Sequence, residues 1–213
     1  MDFRQAKSIV VNTLKKDLDP LLHYHNHRHT LDVLDAVERL GVLEGIEQPD
    51  LDVVRTAALF HDTGFLWAYE KNERLACNFA AEILPSLGYT ERAIHTICEL
   101  IMATEVPQNP DNNKLAMVLC DADLDYLGRD DFFAVALNLH QEWQEFHHKT
   151  IDFMEWYGTQ FDFLVDHHYF TKAARHLRED KKNQNLSQIK KLLSIIDDVG
   201  NSEISNEILH KKS

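Results

Sequence analysis

The stretch HYHNHRH places histidines at 23, 25, 27 and 29. FHDTG places a His-Asp pair at 61 and 62, and CDADLD places aspartates at 121, 123 and 125. Four alternate histidines in a loop could by themselves hold a divalent ion loosely and to no purpose. With partners from elsewhere in the chain the reading changes. His29, His61, Asp62 and one aspartate of the acidic cluster would combine imidazole nitrogens with carboxylate oxygens, which suits a borderline divalent cation such as manganese, zinc, nickel or iron. Magnesium stays among the candidates. Four protein ligands leave a six-coordinate ion with open positions for water. Such a water ionises near neutral pH and can attack phosphorus while the ion polarises a phosphoryl oxygen. The chemistry to expect is hydrolysis of a phosphate ester by a metal-bound hydroxide.

Those residues need elements to position them. Phe3, Ala6, Ile9, Val10 and Leu14 recur at helical spacing up to Asp19-Pro20, where the residue before proline is pushed out of helical geometry. The histidine stretch then enters a second helix marked by Leu31, Val33, Leu34, Val37 and Leu40, so that His25 and His29 share a face if that helix starts early. Leu51 to Leu59 predicts a third helix ending in FHDTG, and Asn72 to Leu87 a fourth that stops at Gly88. Thr90-Glu91 opens a fifth, which runs to the breaker EVPQNPDNN. Leu115 to Leu127, Asp131 to Glu145, Phe153 to Arg178 with a bend or break, and Leu186 to Ile196 complete the pattern. The expectation is an all-α helical bundle of one domain over 1–200, with 201–213 as a frayed tail. Asp121 and Asp123 lie about 200° apart around a helix, so only one of them can face an ion.

Composition narrows the class of partner. With 35 acidic residues against 22 basic ones the chain carries a formal net charge of −13, which disfavours nucleic-acid polymers and anionic membranes. Three cysteines without a CxxC pair argue against a disulfide framework and for a reducing, cytoplasmic setting. No apolar run is long enough for a membrane span. The partner to expect is a small phosphorylated substrate, and a homodimer is left open.

The order H, HD, D on a helical chain resembles the HD superfamily of metal-dependent phosphohydrolases, over about Tyr24 to Gly128. As in that family, HD closes an apolar helix, VVRTAALFHDTGF, with a histidine about 30 residues before it and an acidic cluster about 60 after it. Tyr24-His25-Asn26 with His29 also resembles the YHNxxH signature of cyclic-nucleotide phosphodiesterases, whereas VLCDADLDYLG looks like small bacterial HD hydrolases. The resemblance implies His29, His61, Asp62 and Asp123 as ligands of one ion, with Asp121 the less favoured alternative, because the family's last aspartate follows an alanine. It implies His25 as the general acid that protonates the leaving oxygen, and Asp62 as a ligand that also orients the attacking water. A small-nucleotide phosphodiester is the substrate it suggests. A nucleotidase, a nucleoside-triphosphate hydrolase, or a degenerate module that only senses nucleotide or metal are the alternatives. Second-metal members carry a further histidine where this chain has Ala103-Thr104, so a single ion is expected.

Several residues admit two readings. Glu73 is either a carboxylate that orients a ligand or the attacking water, or an ordinary first-turn glutamate favoured by the helix dipole. His23 and His27 read as solvated or capping residues. Trp143, Phe146, Trp156, Phe163 and neighbouring aromatics read mostly as core, with one or two lining a pocket for a base.

Overall fold

A computed structural model describes the backbone of residues 1–148 and 150–210, and side chains up to residue 196 apart from residue 149. Nine helices and no strand occur among the described residues: α1 (Phe3–Asp17), α2 (His27–Leu43), α3 (Asp50–Phe60), α4 (Asn72–Ile83), α5 (Glu91–Met102), α6 (Lys114–Asp123), α7 (Phe132–His147), α8 (Phe153–Asp166) and α9 (Lys172–His210). None is long and apolar enough to cross a membrane. Of the tail expected to fray over 201–213, the backbone up to His210 belongs to α9 and residues 211–213 lie outside the described residues.

Local signals explain the starts. The side chains of Asp2, Asn26, Thr90, Asn113 and Asp152 each accept a backbone N–H from the first turn of the helix that follows, which satisfies donors a helix cannot pair internally. Asn26 starts α2 at His27, so His25 lies just outside the helix and His29 just inside it. His29, Val33, Ala36, Val37 and Leu40 are buried along one face of α2. The apolar stripe that anchors this helix thus carries His29 into the interior. Helix α3, buried from Val53 to Phe60 except Arg55, packs against α1, α2, α5 and α6 and delivers His61 at its end.

Two apolar clusters result. One gathers side chains of α1 to α6 with Tyr169 and Ala174; the other joins Tyr24, Leu124, Tyr126 and Leu127 to Phe132, Ala136, Leu164 and Ile189. Tyr24 and Leu124 belong to the second cluster, yet each is close in sequence to a residue buried against the first.

Three element boundaries differ from expectation. The helix expected over 72–87 tightens into a 3₁₀ turn at Leu84–Leu87 before Gly88, which has φ of 77°. The one expected over 115–127 ends at Asp123, and Asp125–Gly128 forms another 3₁₀ turn. The stretch 153–178 does break, between Asp166 and Lys172, but no second break precedes Leu186, because α9 runs through the Asn183-Gln184-Asn185 cluster. That cluster looks like a loop signal in sequence. In the fold Asn185 is buried and donates to the carbonyls of Leu127 at 2.9 Å and Arg129 at 3.0 Å, so its polarity serves tertiary contact.

The turn after His61-Asp62 depends on Gly64, where a Cβ would stand 1.8 Å from the carbonyl oxygen of Asn72. That contact is with backbone and cannot yield cheaply. Gly64→Ala is therefore expected to lower unfolding stability by about 3 kcal/mol. Gly158→Ala, at a helical position where a Cβ meets nothing within 4 Å, should raise it by about 1 kcal/mol. Urea titrations of both variants check the pair, and a neutral Gly64→Ala would contradict the packing described.

Candidate metal centre and its surroundings

Three elements bring His29, His61, Asp62 and Asp123 to one point. His29 Nε2 lies 3.1 Å from Asp123 Oδ1 and 3.3 Å from Asp62 Oδ2, while His61 Nε2 lies 3.4 Å and 3.2 Å from the same two oxygens. The His61 ring is oriented by its other nitrogen, which donates to the Ala58 carbonyl at 2.9 Å. With the proton on Nδ1, Nε2 turns a lone pair towards two carboxylates. His61 Nε2 and Asp62 Oδ2 are buried and without a hydrogen-bond partner. Converging lone pairs of this kind are stable only around a positive charge.

The protonation tendencies carry the same message. Burial disfavours a charged His29 ring, but the Asp123 carboxylate hydrogen-bonded to it and the Asp62 carboxylate beside it outweigh burial and raise its pKa to about 9. His61 is also raised well above its ordinary value, with Asp62 and Asp123 overcoming its burial. Burial would raise Asp123, yet the two histidines lower it to about 2. A proton and a divalent ion compete for this centre, so loading a metal would release protons. The nitrogens of His29 and His61 and a carboxylate oxygen of Asp123 lie within 4.8 Å of one another, so this group could hold an ion. The donor set of two imidazoles and two carboxylates fits a borderline divalent metal.

The alternative aspartate faces elsewhere. Asp121 accepts the backbone N–H groups of Phe170 at 2.8 Å and Thr171 at 2.7 Å, and so fastens the break between α8 and α9. Neither of these contacts involves the histidines. Asp123 has its second oxygen held by Gln108, whose Nε2 donates at 3.0 Å. Sequence reasoning missed Gln108, which sits in the breaker EVPQNPDNN, where nothing in the pattern distinguishes one polar residue from another.

His25 stands beside the cluster, with its ring centroid 5.9 Å from that of His29. Phe65 stacks on it at 4.2 Å. Its Nδ1 pairs with Glu142 Oε1, and Glu142 Oε2 accepts the backbone N–H groups of Tyr24 at 2.8 Å and His25 at 3.0 Å. Glu142 is wholly buried on α7. Burial alone would raise its pKa, but His25 and the two backbone donors bring it below the ordinary range. Sequence reasoning missed this residue too.

Glu73, in the first turn of α4, lines the cavity that also contains Asp62 and Asp123. Asn72 Nδ2 donates to its Oε1 at 3.3 Å. Burial, then Glu105 and Asp62, raise its pKa. Thr104 borders the same cavity, though its hydroxyl is used up in donating to the Ile101 carbonyl at 2.8 Å. His23 and His27 stay outside the cluster.

The cluster lies between two cavities. On one side is an apolar cavity of about 370 Å³, walled by Phe65, Tyr69, Trp143, Trp156 and Phe163. On the other is a polar one of about 190 Å³ that includes His23, Arg28 and Arg129. Both share Tyr24, Asp123 and Tyr126.

Comparison with known proteins gives the family. The family model for the HD domain matches residues 26–202. The chain belongs to the HD domain family. Metal-dependent hydrolysis is the chemistry of that family, and its domains bind divalent metals. Three solved structures share the fold. A protein from an uncultured Thermotogales bacterium described as an HD superfamily hydrolase matches with TM-score 0.59 and 18% identity over 90% of this chain and 91% of its own. Bacillus subtilis YpgQ, in complex with ADP, matches with TM-score 0.63 and 19% identity over 91% and 97%. A Lactobacillus plantarum protein matches with TM-score 0.65 and 17% identity over 91% and 97%. No curated protein matches.

The two aspartates of α6 should separate experimentally. Asp123→Ala is expected to abolish stoichiometric metal binding while leaving the fold intact. Asp121→Ala should keep the metal and lose about 3 kcal/mol of stability, since two backbone donors lose a charged acceptor. Elemental analysis with denaturant unfolding reads both, and the reverse pattern would assign the ligand to Asp121.

Proposed function

We propose that this HD domain hydrolyses a phosphate ester of a small nucleotide, with a phosphodiester as the leading substrate. The observation that carries this reading is the convergence of four ligand-type side chains beside a histidine held by a buried glutamate. His29, His61, Asp62 and Asp123 would hold one divalent ion. When bound, the ion supplies Lewis acidity to a phosphoryl oxygen and lowers the pKa of water. Gln108 fixes the Asp123 carboxylate, and Asp62 is placed both to ligate and to orient the attacking water.

His25 supplies the proton. Its Nδ1 is committed to Glu142, which leaves Nε2 as the nitrogen that can donate to the leaving oxygen. Glu142 keeps the ring in one orientation through the backbone of residues 24 and 25. As the P–O bond breaks, the leaving oxygen takes the His25 proton, and the proton lost by the attacking water restores the starting state. Glu73 borders the same space and is placed to hold water near Asp62.

The cavities favour a molecule of nucleotide size. A volume of about 370 Å³ lies in the range of small-ligand sites, and the net charge of −13 disfavours a nucleic-acid polymer or an anionic membrane. Free cysteines at 77, 98 and 120 suit a reducing, cytoplasmic setting. A second reading, hydrolysis of a nucleoside monophosphate or polyphosphate, draws support from the polar cavity containing Arg28 and Arg129. The solved complex of YpgQ with ADP supports a nucleotide in either case.

The test is a substrate panel of cyclic AMP, cyclic GMP, nucleoside mono- and triphosphates and a chromogenic phosphodiester, with manganese, zinc, nickel, iron or magnesium loaded in turn. Turnover of a diester should fall about 10²- to 10⁴-fold in His25→Ala, with a smaller loss in Glu142→Gln. Orthophosphate or pyrophosphate release would instead select the second reading. The proposal fails if no substrate is cleaved and His61→Ala leaves metal content unchanged.

A further inference from the structure

The three cysteines are far apart in sequence, but helix packing brings two of them together. Cys77 on α4 and Cys98 on α5 are both half-buried. The Cys77 thiol donates to the Cys98 carbonyl at 3.5 Å, and the Cys98 thiol to the Cys77 carbonyl at 3.7 Å. Cysteines can be joined only where their backbones approach within about 7 Å, and here each sulfur reaches the other's main chain. Cys98 also lines a cavity of about 490 Å³ together with the exposed His95 and Glu99, so a small solute reaches it from solvent. Cys120 is the contrast. It is wholly buried and donates to the Ala103 carbonyl at 3.2 Å, and burial pushes its thiol well above the ordinary range.

We propose that Cys77 and Cys98 are a peroxide-responsive pair that closes reversibly to a disulfide and fastens α4 to α5. The two thiols divide the roles. A Cys98 thiolate accepts the Cys77 S–H, which lowers Cys98 to about 7 against its burial, whereas Cys98 and burial raise Cys77. Cys98 is therefore the sulfur that attacks. Its electron pair forms an S–O bond to one oxygen of hydrogen peroxide as the O–O bond breaks. That leaves a sulfenic acid, and the other oxygen takes a proton and departs as water. The Cys77 sulfur then attacks the Cys98 sulfur: the S–S bond forms, the S–O bond breaks, and the departing hydroxide takes the Cys77 proton as a second water. Each sulfur gives up one electron, and the peroxide accepts both. A dithiol reductant reverses the step by exchange. In a reducing compartment the pair rests as thiols, and disulfides found there are usually transient and redox-sensing. Glu73, one turn before Cys77 on α4, and Thr104, just beyond α5, border the apolar cavity, so the bond joins two of its walls. The inference is independent of the reaction assigned above.

Peptide mapping tests it. Zinc-loaded protein is treated with hydrogen peroxide, the remaining thiols are alkylated, and a tryptic digest is read by mass spectrometry. Peroxide should consume Cys77 and Cys98 and leave Cys120 free. Residues 75–92 should then appear joined to residues 93–114, a species that dithiothreitol removes. The oxidised protein should melt about 5 °C higher than the reduced one. Cys77→Ser should leave Cys98 as a sulfenic acid that dimedone traps, and Cys98→Ser should leave Cys77 unoxidised at the same dose. Three free thiols at a peroxide dose that consumes glutathione overturn the pair, as does a bridge that uses Cys120 or joins two chains. A bridge formed without any rise in melting temperature overturns the fastening of α4 to α5. The wild-type map decides even if a variant fails to fold.

Discussion

Two imidazole nitrogens, each held 3.1–3.4 Å from the same two carboxylate oxygens in a buried place, make the constraint on which this structure depends. Without a positive charge between them the arrangement would be strongly repulsive, since burial removes the water that would otherwise screen it. The surrounding fold is rigid where it meets this point. His29 rides on the apolar stripe of α2, His61 ends a helix buried on nearly every side, and Asp123 ends α6. Each of these side chains is thus tied to core packing, and relaxing one of them would require moving a helix.

The fold and the four convergent residues were largely legible in the sequence because both leave local marks. Capping residues, a 3.6-residue apolar period and the terminal position of HD are read within a few positions of each other. The end of α6 shows how far such reasoning reaches. Helical geometry allows only one of Asp121 and Asp123 to face the histidines, and the structure puts Asp123 there. What the other carboxylate does instead could not be read, because its partners are backbone N–H groups 49 and 50 residues away.

The same limit explains what was missed. Glu142 meets the backbone of Tyr24 118 residues away, and in QEWQEF nothing separates it from the neighbouring glutamine or glutamate. Gln108 is one polar residue of a loop full of them. Asn185 falls in the gap left between the helices expected over 153–178 and 186–196, and inside α9 it is a contact with the turn after α6. Long-range partners assign such residues, whereas local pattern assigns only the element they sit on.

Glu142 ties α7 to the loop that carries His25. A wholly buried carboxylate is costly unless its charge is matched, and on the loop before α2 it meets the N–H groups of Tyr24 and His25 and the His25 ring. The same loop enters α2 two residues later, where Asn26 caps the helix that carries His29. Pairing Glu142 therefore fixes the position of His25 relative to His29 through a chain of backbone contacts. His25, the capping Asn26 and His29 lie within five consecutive residues, and Glu142 on α7 holds that segment in place.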